Sequence, residues 1–453
     1  MNILLPIETI NREIDFKLVL AGYLAGKGHQ IYIGQHDFLM NLVPNLKKGG
    51  LYIGKNIFTK SSPNDRGEKY FFLKKHNFNI IYLHEEGAIF NIRKNFAETL
   101  KMQYNINFFD QNDCVCVWGQ FQKKIERLRT KKVPIHVTGH PRFDLYKKDW
   151  KKFHKSQISK LKKKYKNFVL INGNYSVSNY GMGLRYFFRN NLATKQDKIK
   201  LLNLYLSSKK QLHSMVELTI HLAFKFPKTN FIYRPHPSED HEYYHIIFKG
   251  IKNIIVNHEG PVSPWILASK LLIHDGCTTA IEANLANIPV INYKPYFYSN
   301  YDLWLPNQIG IQIKTIDKII SYIKSMNKKK NKQSLRVKNK EIFNYIHNFK
   351  NNSFKEFLNI IEQKINPNQS NNRISSLLIK IYYLKSYIKE SLYKILKYNK
   401  KQEIKYHKTK FYGFNQNYII EKYKIISNIL NKKISFKFHN SNLISIDDKE
   451  DHH

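Results

Sequence analysis

Cysteine is scarce in this chain. Only three cysteines occur among 453 residues, and two of them, Cys114 and Cys116, alternate along one strand-like run. Alternate residues of a strand point to the same side but form poor disulfides, and no cysteine spacing typical of a structural zinc site is present. The sequence therefore excludes a disulfide-stapled module and predicts a reduced, cytoplasmic protein.

Long apolar runs are absent as well. No uninterrupted apolar stretch approaches the roughly 20 residues that a membrane-spanning helix needs. The first eight residues lack the basic region and the long apolar core of a signal peptide. We therefore expect a soluble or peripheral protein rather than an integral membrane protein.

Acidic residues are few relative to basic ones. The chain has 34 Asp and Glu against 75 Lys and Arg, a formal charge of +41. Such a field attracts polyanions, anionic membranes or phosphorylated substrates. The bias toward Lys, Asn, Ile and Tyr is also what a skewed genome composition would produce, so the charge alone does not identify a partner. An apolar content of 42% excludes a disordered chain.

The length predicts two domains and an appendage. Strand-like runs alternate with helical segments, which is typical of parallel sheets covered by helices. In a first half they occupy 2–7, 30–34, 50–53, 80–83, 113–118 and 135–138, and in a second half 168–172, 230–233, 254–256, 271–273 and 290–292. We predict an α/β fold of two Rossmann-like domains, 1–165 and 166–350, that face a cleft.

Residues 351–453 are predicted to form a basic, helical C-terminal extension. Apolar residues recur there at helical spacing between Ile374 and Leu392, with lysines interspersed. A basic amphipathic helix of this kind suits an anionic membrane surface. It would equally suit packing against the body of the protein or a partner, and the sequence leaves both alternatives open.

Two predicted strands end in polar groups that suit an anion. The first ends in Arg234-Pro235-His236-Pro237, where prolines restrict the loop that carries a cation and an imidazole. In open α/β sheets, ligands bind beyond the carboxyl ends of the strands. We therefore predict that this loop holds a phosphate oxygen, although a single histidine is more often structural.

The second strand runs into a helix through Gly276, Cys277, Thr278 and Thr279. A glycine allows close approach of the backbone, and amides at a helix start favour phosphate. The threonines could instead only cap the helix. Glu282, one turn later, is a candidate ligand for ribose hydroxyls or a simple helix-dipole partner.

These motifs resemble those of GT-B glycosyltransferases of bacterial surface polysaccharide synthesis. The nearest group is the surface carbohydrate biosynthesis proteins, similar to the retaining Kdo and nonulosonate transferases, and the CDP-glycerol glycerophosphotransferases are a broader relative. The resemblance covers about the first 300 residues. It rests on the His-Pro loop, the Gly-Cys-Thr-Thr helix start, and segments at 5–21, 82–87, 170–175 and 287–290.

The resemblance implies a role for each matching residue. It implies that the donor phosphate is bound by Arg234, His236, Thr278 and Thr279. It also implies that the nucleotide ribose or base is bound by Glu259 and Glu282. Cys277 stands where relatives usually carry Ser. His84 replaces what is more often Asp, so the acidic motif rests on Glu85 and Glu86.

Glycosyl transfer needs a stabilised leaving phosphate and a carboxylate near the anomeric carbon. Glu86 is the preferred base or nucleophile, because Gly87 lets the backbone turn there, and Glu85 is the alternative. Asp15 is a further catalytic candidate that could instead belong to a structural ion-pair cluster with Lys17. The predicted sugar or acceptor ligands are Arg12, Asn172, Asn174 and Asn179.

Three classes of function compete. The first is transfer of an acidic ulosonic or nonulosonic sugar from a CMP-activated donor to a lipid-linked or oligosaccharide acceptor at the inner membrane face. The second is a CDP-glycerol or ribitol-type phosphotransferase. The third is a non-enzymatic polyanion- or membrane-binding protein, which the lack of a recognised nucleic-acid module disfavours. We expect no metal and no cofactor, because a phosphomonoester can leave with positive groups alone and no Asp-x-Asp motif occurs.

Overall fold

The computed structural model describes residues 1–58, 66–91, 96–190, 195–298, 300–328, 340–365, 372–396 and 407–446. These residues form two compact units. The first consists of the described residues of Met1–Ala88, Lys94–Leu145 and Phe343–His453, and the second of those of Ile89–Arg93 and Tyr146–Ile342. The main part of the second unit thus begins at Tyr146 instead of the predicted 166, and the chain returns to the first unit at Phe343 instead of continuing the second domain to 350.

The first unit contains one eight-stranded sheet. Its strands are β1 (Asn2–Ile7), β2 (Gln30–Gln35), β3 (Gly50–Gly54), β4 (Phe78–Leu83), β5 (Cys114–Val117), β6 (Ile135–Val137), β13 (Lys437–Asn440) and β14 (Leu443–Ile446). Their order is β13-β14-β2-β1-β3-β4-β5-β6. The first six strands are parallel, whereas β14 is antiparallel to β2. The central strands are almost wholly buried, as expected when helices cover both faces.

The second unit contains a six-stranded parallel sheet. Its strands are β7 (Phe168–Asn172), β8 (Asn230–Arg234), β9 (Ile254–Val256), β10 (Leu271–His274), β11 (Val290–Tyr293) and β12 (Ile311–Ile313). The order β12-β11-β10-β7-β8-β9 places the reversal of strand order between β7 and β10. The corresponding reversal in the first unit lies between β1 and β3. The prediction of two Rossmann-like α/β halves is confirmed.

The helices lie between the strands in chain order. In the first unit they are α1 (Ile10–Leu24), α2 (His36–Leu42), α3 (Glu68–Lys75), α4 (Phe96–Gln103), α5 (Gln120–Arg129), α6 (Pro141–Asp144), α15 (Ser353–Lys364), α16 (Ser376–Leu396) and α17 (Gln416–Leu430). In the second they are α7 (Lys155–Tyr165), α8 (Leu184–Asn190), α9 (Lys195–Lys225), α10 (His241–Ile247), α11 (Val262–Ala268), α12 (Thr279–Leu285), α13 (Trp304–Asn307) and α14 (Ile316–Lys328). Short 3-10 turns occupy Val43–Asn45, Ile106–Phe108, Lys148–His154, Lys340–Asn344 and His347–Phe349.

The C-terminal part of the chain is built into the first unit rather than appended to it. Helix α17 packs against α1, and Ile419, Tyr423 and Ile426 are buried. Strand β14 pairs with the edge strand β2 from Leu443 to Ile446. The predicted extension is helical as expected, but it also supplies a β-hairpin that the sequence pattern did not reveal. Its residues 366–371, 397–406 and 447–453 lie outside the described residues.

Candidate functional site

In the second unit, the ends of three neighbouring strands meet where the strand order reverses. Asn172 is the last residue of β7 and pairs in register with Arg234 of β8 and His274 of β10. Its side-chain Nδ2 donates to Thr279 Oγ1 at 3.2 Å, which links β7 to the start of α12. Its Oδ1 is buried and has no hydrogen-bond partner among the described residues. The structure thus brings Asn172 and Thr279 together, in the place where such sheets bind ligands.

His236 lies in the loop that follows β8, and its side chain is partly exposed. The backbone N–H of Ser238 donates to His236 Nδ1 at 3.2 Å. Because Nδ1 accepts this hydrogen bond, the neutral ring carries its proton on Nε2. The loop therefore presents an N–H donor of defined tautomer, which suits a phosphate oxygen.

Arg234 has a different environment from the one that the sequence suggested. Its side chain is buried, and the guanidinium donates to the carbonyl oxygens of Glu259 at 3.1 Å and Gly260 at 2.9 Å. It also lies over the ring of Trp265, 5.2 Å from the centroid. These contacts tie the guanidinium to the 257–260 loop, so we expect Arg234 to position that loop rather than to contact a phosphate itself.

The turn between β10 and α12 contains the glycine that the sequence singled out. Gly276 has a φ of +61°, a left-handed conformation that favours glycine, and the space where a Cβ would point is open. Cys277 is partly buried, and burial raises the pKa of its thiol to about 11, so the neutral thiol prevails at neutral pH. Thr278 precedes the helix and makes no side-chain capping hydrogen bond. Its hydroxyl is therefore not used as an N-cap.

The remaining predicted ligands of the second unit differ in exposure. Glu259 is exposed on the loop held by Arg234, whereas Glu282 is buried in the first turn of α12. Asn174 is exposed and accepts from the Ser176 hydroxyl at 3.0 Å. Asn179 donates to the Asp240 carbonyl at 3.0 Å. Only Glu259 and Asn174 of this group have exposed side chains.

A buried ion-pair network lies beneath the β10 turn and was missed by the sequence analysis. Lys294, just after β11, contacts Asp275 Oδ1 at 2.5 Å and Asp302 Oδ1 at 2.7 Å, and all three side chains are buried. Tyr175 donates to Asp275 Oδ2 at 3.5 Å. Because single polar residues in separate loops carry no periodic signal, only the tertiary structure shows that they meet.

In the first unit, charged groups gather at the carboxyl ends of β1, β3 and β4. Lys55, which follows β3, lies 3.1 Å from Glu8, which follows β1, so this pair spans the reversal of strand order. Arg12, at the start of α1, lies 3.4 Å from Glu86 Oε1 and 3.8 Å from Glu85 Oε2. The structure therefore brings Arg12 and the two predicted carboxylates together.

Glu85 and Glu86 have opposite environments despite being adjacent. Glu85 is buried, and its Oε2 lies 2.8 Å from Arg142 Nη1 and 3.2 Å from His140 Nε2. The carboxylate of Glu85 has a pKa held well below its usual range, because the opposing effect of burial is outweighed by His140, Arg12 and Arg142. The side chain of Glu86 is 39% exposed. Glu86 is therefore the more accessible of the two carboxylates.

His140 and Arg142 belong to a Gly-His-Pro-Arg segment after β6 that the sequence analysis did not single out. The Arg142 N–H donates to His140 Nδ1 at 3.2 Å, so the neutral ring carries its proton on Nε2, which lies 3.2 Å from Glu85 Oε2. Burial lowers the pKa of His140 to about 4, so the ring is neutral at neutral pH. The repeated His-Pro pair after a strand, also found at His236, was the one sequence signal that could have identified this segment.

The loop that carries Glu85 and Glu86, the acidic loop, is held in place by Trp118. The indole Nε1 donates to the His84 carbonyl at 2.6 Å. A Cβ on Gly87 would lie 2.7 Å from the indole Cγ and 2.3 Å from Gln122 Oε1. Gly87 is thus required for close packing rather than for an unusual turn. His84 is buried beside this loop, and neither of its ring nitrogens has a hydrogen-bond partner among the described residues.

Asp15 is buried in a contact between helices. The Tyr418 hydroxyl of α17 donates to Asp15 Oδ1, and burial raises the pKa of Asp15 against the opposing effect of Lys422. Glu13 and Lys17, which are also buried, form an ion pair at 2.7 Å within α1. These environments favour the structural ion-pair alternative for Asp15.

The segment before α17 reaches the same strand ends. Lys410 Nζ lies 3.2 Å from Glu8 Oε1, and the Tyr412 hydroxyl donates to Asn11 Oδ1 at 2.8 Å. The sequence pattern gives no sign of these contacts, which join residues about four hundred positions apart.

Two surveys of the described residues bear on metals and membranes. No group of three or more His, Cys, Asp or Glu side chains in this part of the chain is arranged to hold a metal ion. No helix within it combines the length and the apolar character needed to cross a bilayer.

Several solved structures are similar to this chain. A UDP-GlcNAc 2-epimerase from Methanocaldococcus jannaschii is 12% identical and covers 80% of this chain and 100% of its own, with a TM-score of 0.48. HepE from Anabaena, solved with UDP-glucose, is 12% identical with the same coverages and a TM-score of 0.42. The wall teichoic acid polymerase TagF is 11% identical over 80% of this chain and 88% of its own, with a TM-score of 0.45. Neither a model of a protein family nor a curated protein matches the chain.

Proposed function

We propose that the chain is a glycosyltransferase of surface polysaccharide biosynthesis. It transfers an acidic ulosonic or nonulosonic sugar from a CMP-activated donor to a lipid-linked or oligosaccharide acceptor. The observation that carries the proposal is that β8, β7 and β10 are neighbouring strands, and that their carboxyl ends carry the His236 loop, Asn172 and the Gly276–Thr279 turn beside the strand-order reversal. The motif resemblance of the same residues to CMP-sugar transferases supports it.

The second unit holds the donor in this mechanism. The Nε2–H of His236 donates to a phosphate oxygen and stabilises the charge that develops as the nucleoside monophosphate leaves. Gly276 leaves open space over the turn, so the phosphate can approach the backbone closely. Asn172 Oδ1 is available to accept a hydrogen bond from a sugar or ribose hydroxyl. The loop held by Arg234 presents Glu259 to the nucleotide.

The first unit carries the reactive carboxylate. Glu86 acts on the anomeric carbon as a nucleophile, or removes the proton of the acceptor hydroxyl as a base. Arg12 pairs with Glu86 at 3.4 Å and orients it. Glu85 is occupied by His140 and Arg142 and fixes the loop. In the acidic loop, the buried Glu85 thus anchors the backbone and the more exposed Glu86 reacts.

A nucleotide panel tests the proposal. The melting temperature of the full chain is measured with CMP, CDP, UDP and GDP and with CDP-glycerol. Stabilisation by CMP and not by the other nucleotides is expected, because a ligand that binds only the folded state raises its stability. Stabilisation by CDP-glycerol instead would replace the sugar donor with a polyol phosphate donor. Failure of every nucleotide to stabilise the chain would overturn the assignment.

Helix α16 supports the further proposal that the protein associates peripherally with an anionic inner-membrane surface. One face of the helix packs on the body, where Ile379 is buried and the Tyr383 hydroxyl is 3.0 Å from Ser441. The opposite face exposes an apolar row at helical spacing, formed by Leu377, Ile381, Leu384, Ile388 and Leu392. Helical geometry places Lys380 on one side of this row and Lys385 on the other. One face of α16 therefore packs against the body of the protein, and we propose that the exposed face binds the membrane.

Vesicle binding tests this association. The full chain should sediment with vesicles that contain an anionic lipid and much less with neutral vesicles, and added salt should weaken binding. Replacing Leu384 and Ile388 by Ser should reduce binding. Leu128→Ser removes an apolar side chain that is 85% exposed elsewhere in the first unit and serves as the control. Equal sedimentation of both variants would reject α16 as the docking helix.

A further inference from the structure

A buried glutamate lies at the base of the His236 loop and has no role in the mechanism above. Glu239 is only 3% exposed. Its Oε1 accepts the backbone N–H of His236 at 3.0 Å and that of Tyr175 at 3.1 Å. Its Oε2 accepts the hydroxyl of Tyr244 from α10. One carboxyl group therefore holds the loop after β8, the loop after β7 and the helix beyond.

Backbone hydrogen bonds on either side of Glu239 join the same two loops. The Gly181 N–H donates to the Ser238 carbonyl at 2.9 Å, and the Asp240 N–H donates to the Asn179 carbonyl at 3.0 Å. Tyr180 and Glu239 themselves form an isolated antiparallel bridge. The loop that presents His236 is thus fastened to the end of β7, and Glu239 is the side chain at the centre of that junction.

We infer that Glu239 is the positioning residue of the donor site, and that the presence or absence of its proton sets the affinity for the donor's phosphate. This inference rests on the proposed function, because the phosphate it invokes belongs to the nucleotide donor. Glu239 touches no reacting atom in this scheme and acts through the backbone that carries His236.

The surroundings of Glu239 explain why its proton is exchangeable near neutral pH. The groups that face it are Tyr175 and Asn179 from the β7 loop, Tyr233 from β8, His236 from its own loop, Tyr244 from α10 and Cys277 from the β10 turn. No ion pair to Glu239 occurs among the described residues. Burial raises the pKa of Glu239 to about 7, against the lowering effect of the hydrogen bonds from Tyr244, Tyr175 and His236.

The direction of the effect follows from charge. Below pH 7 the carboxyl is neutral, and the loop offers the phosphate only hydrogen-bond donors. Above pH 7 the ionised carboxylate places a buried negative charge beneath the loop, and low dielectric surroundings make its repulsion of a phosphate effective. Both states keep the loop intact, because the hydroxyl of Tyr244 can donate to a carboxylate or accept from a carboxylic acid.

The test measures CMP affinity of the full chain by calorimetry at pH 6 and pH 8. Glu239→Gln keeps an acceptor oxygen for the two N–H groups and cannot ionise. Glu242→Gln makes the same change at an exposed position on α10 and is the matched control. The phosphate of CMP itself ionises near pH 6 and affects all proteins alike, so the comparison between variants is the readout. Cytidine, which has no phosphate, is measured in parallel.

Glu239→Gln should bind CMP as the wild type does at pH 6 and about tenfold more tightly than the wild type at pH 8. The control should follow the wild type at both pH values, and cytidine should show no difference between proteins. An identical pH dependence of wild type and Glu239→Gln would overturn the inference. Equal loss of CMP and cytidine binding by Glu239→Gln at both pH values would also overturn the proton-linked role.

Two further measurements keep the inference testable if the first variant does not fold or no nucleotide binds. Glu239→Asp retains a titrating group but withdraws it from the His236 N–H, so it should keep a pH dependence and bind CMP more weakly; wild-type affinity would contradict a positioning role. If the wild type binds no nucleotide at any pH, the proposed function fails rather than the titration. Urea unfolding then tests whether Glu239 has a raised pKa. A carboxyl whose pKa is raised in the folded state loses stabilising free energy as the pH rises. The wild type should therefore become less stable relative to Glu239→Gln from pH 5 to pH 7.

Discussion

At the scale of single residues, adjacent side chains of the same type have different tasks because their surroundings differ. Arg234 and His236 are separated by one proline, yet the guanidinium is buried against carbonyl oxygens while the imidazole is partly exposed with a defined tautomer. Glu85 and Glu86 show the same contrast in the first unit. A cation or carboxylate whose partners are all buried is expected to stabilise the fold. Its accessible neighbour is expected to contact the substrate.

His236→Ala should weaken CMP binding without unfolding the chain. The variant loses one hydrogen bond to a charged group, which is worth about 1.5–3 kcal/mol, or roughly 10- to 150-fold in affinity. Calorimetry on the full chain checks this. His245→Ala removes an exposed histidine from the neighbouring helix α10 and should bind CMP normally. Full affinity in His236→Ala would remove the imidazole from the phosphate site.

Glu86→Gln should retain CMP binding and lose transfer. General base or nucleophilic assistance contributes about 10²- to 10⁴-fold to rate, and the donor groups lie in the second unit. Transfer is followed by release of CMP from a CMP-activated sugar in the presence of acceptor. Glu98→Gln, an exposed glutamate paired with Lys101 in the same unit, is the control. An active Glu86→Gln variant would direct attention to Glu85.

Glu85→Gln should act on stability instead. The substitution leaves Arg142 buried without its carboxylate partner, and breaking one side of a buried ion pair costs about 3–5 kcal/mol. Urea unfolding of the two variants side by side measures the difference. Glu86→Gln, at a 39% exposed position, is expected to lie within about 1 kcal/mol of the wild type. Equal stability of the two variants would contradict the division of roles.

At the scale of elements, buried histidines lie at the ends of several strands, and they should make the folded state less stable in acid. His84 follows β4, His140 follows β6 and His274 ends β10, and burial lowers the pKa values of the three rings to about 3, 4 and 3. A histidine whose pKa is lowered in the folded state binds its proton more readily in the unfolded chain. Stability contributed by these rings is therefore present above their unfolded pKa, near 6.5, and is lost as pH falls toward 4.

His140→Gln isolates one of these contributions. Glutamine keeps a polar N–H group beside Glu85, but it cannot take up a proton. The free energy of unfolding should fall less steeply between pH 6.5 and pH 4 than in the wild type, by up to about 3 kcal/mol. His245→Gln changes an exposed histidine and should leave the slope unaltered. Parallel curves for His140→Gln and the wild type would show that this ring is not held neutral.

At the scale of the whole chain, the last hundred residues complete the first unit. Strand β14 buries Leu443, Ile444 and Ile446 against the sheet, and α17 buries Ile419, Tyr423 and Ile426 against α1. Each fully buried apolar side chain contributes about 1.5–3 kcal/mol. Their sum rivals the roughly 5–15 kcal/mol by which a folded domain is stable.

Truncation after Glu362 should therefore destabilise the first unit, not merely release the protein from membranes. Limited proteolysis should cleave the truncated first unit rapidly, while the second unit resists. A truncation after Ile446 keeps every described element and should behave as the full chain does. Resistance of the shorter form would show that α17 and β14 are dispensable for folding.

Much of the architecture followed from local patterns. Short apolar strands alternating with helical segments gave every predicted strand within about two residues, because buried parallel strands are apolar on both faces and leave a strong signal. The sequence also allowed the loops after β8 and β10 to be proposed as anion sites, since ligands bind at the strand ends of such sheets. Strand β12 and the β13–β14 hairpin were missed, because they are short and partly polar.

The two α/β halves and the strand ends that carry His236, Gly276 and Glu86 could be predicted from the sequence, because periodicity and loop position are local properties. The neighbours of each charged group depend instead on how the chain folds in three dimensions. The tertiary structure placed Arg234 against backbone carbonyls, paired Glu85 with His140 and returned the C-terminal segment to the first sheet. These outcomes depend on contacts between residues distant in sequence, where burial and Coulomb interactions, rather than local propensity, set the free energy.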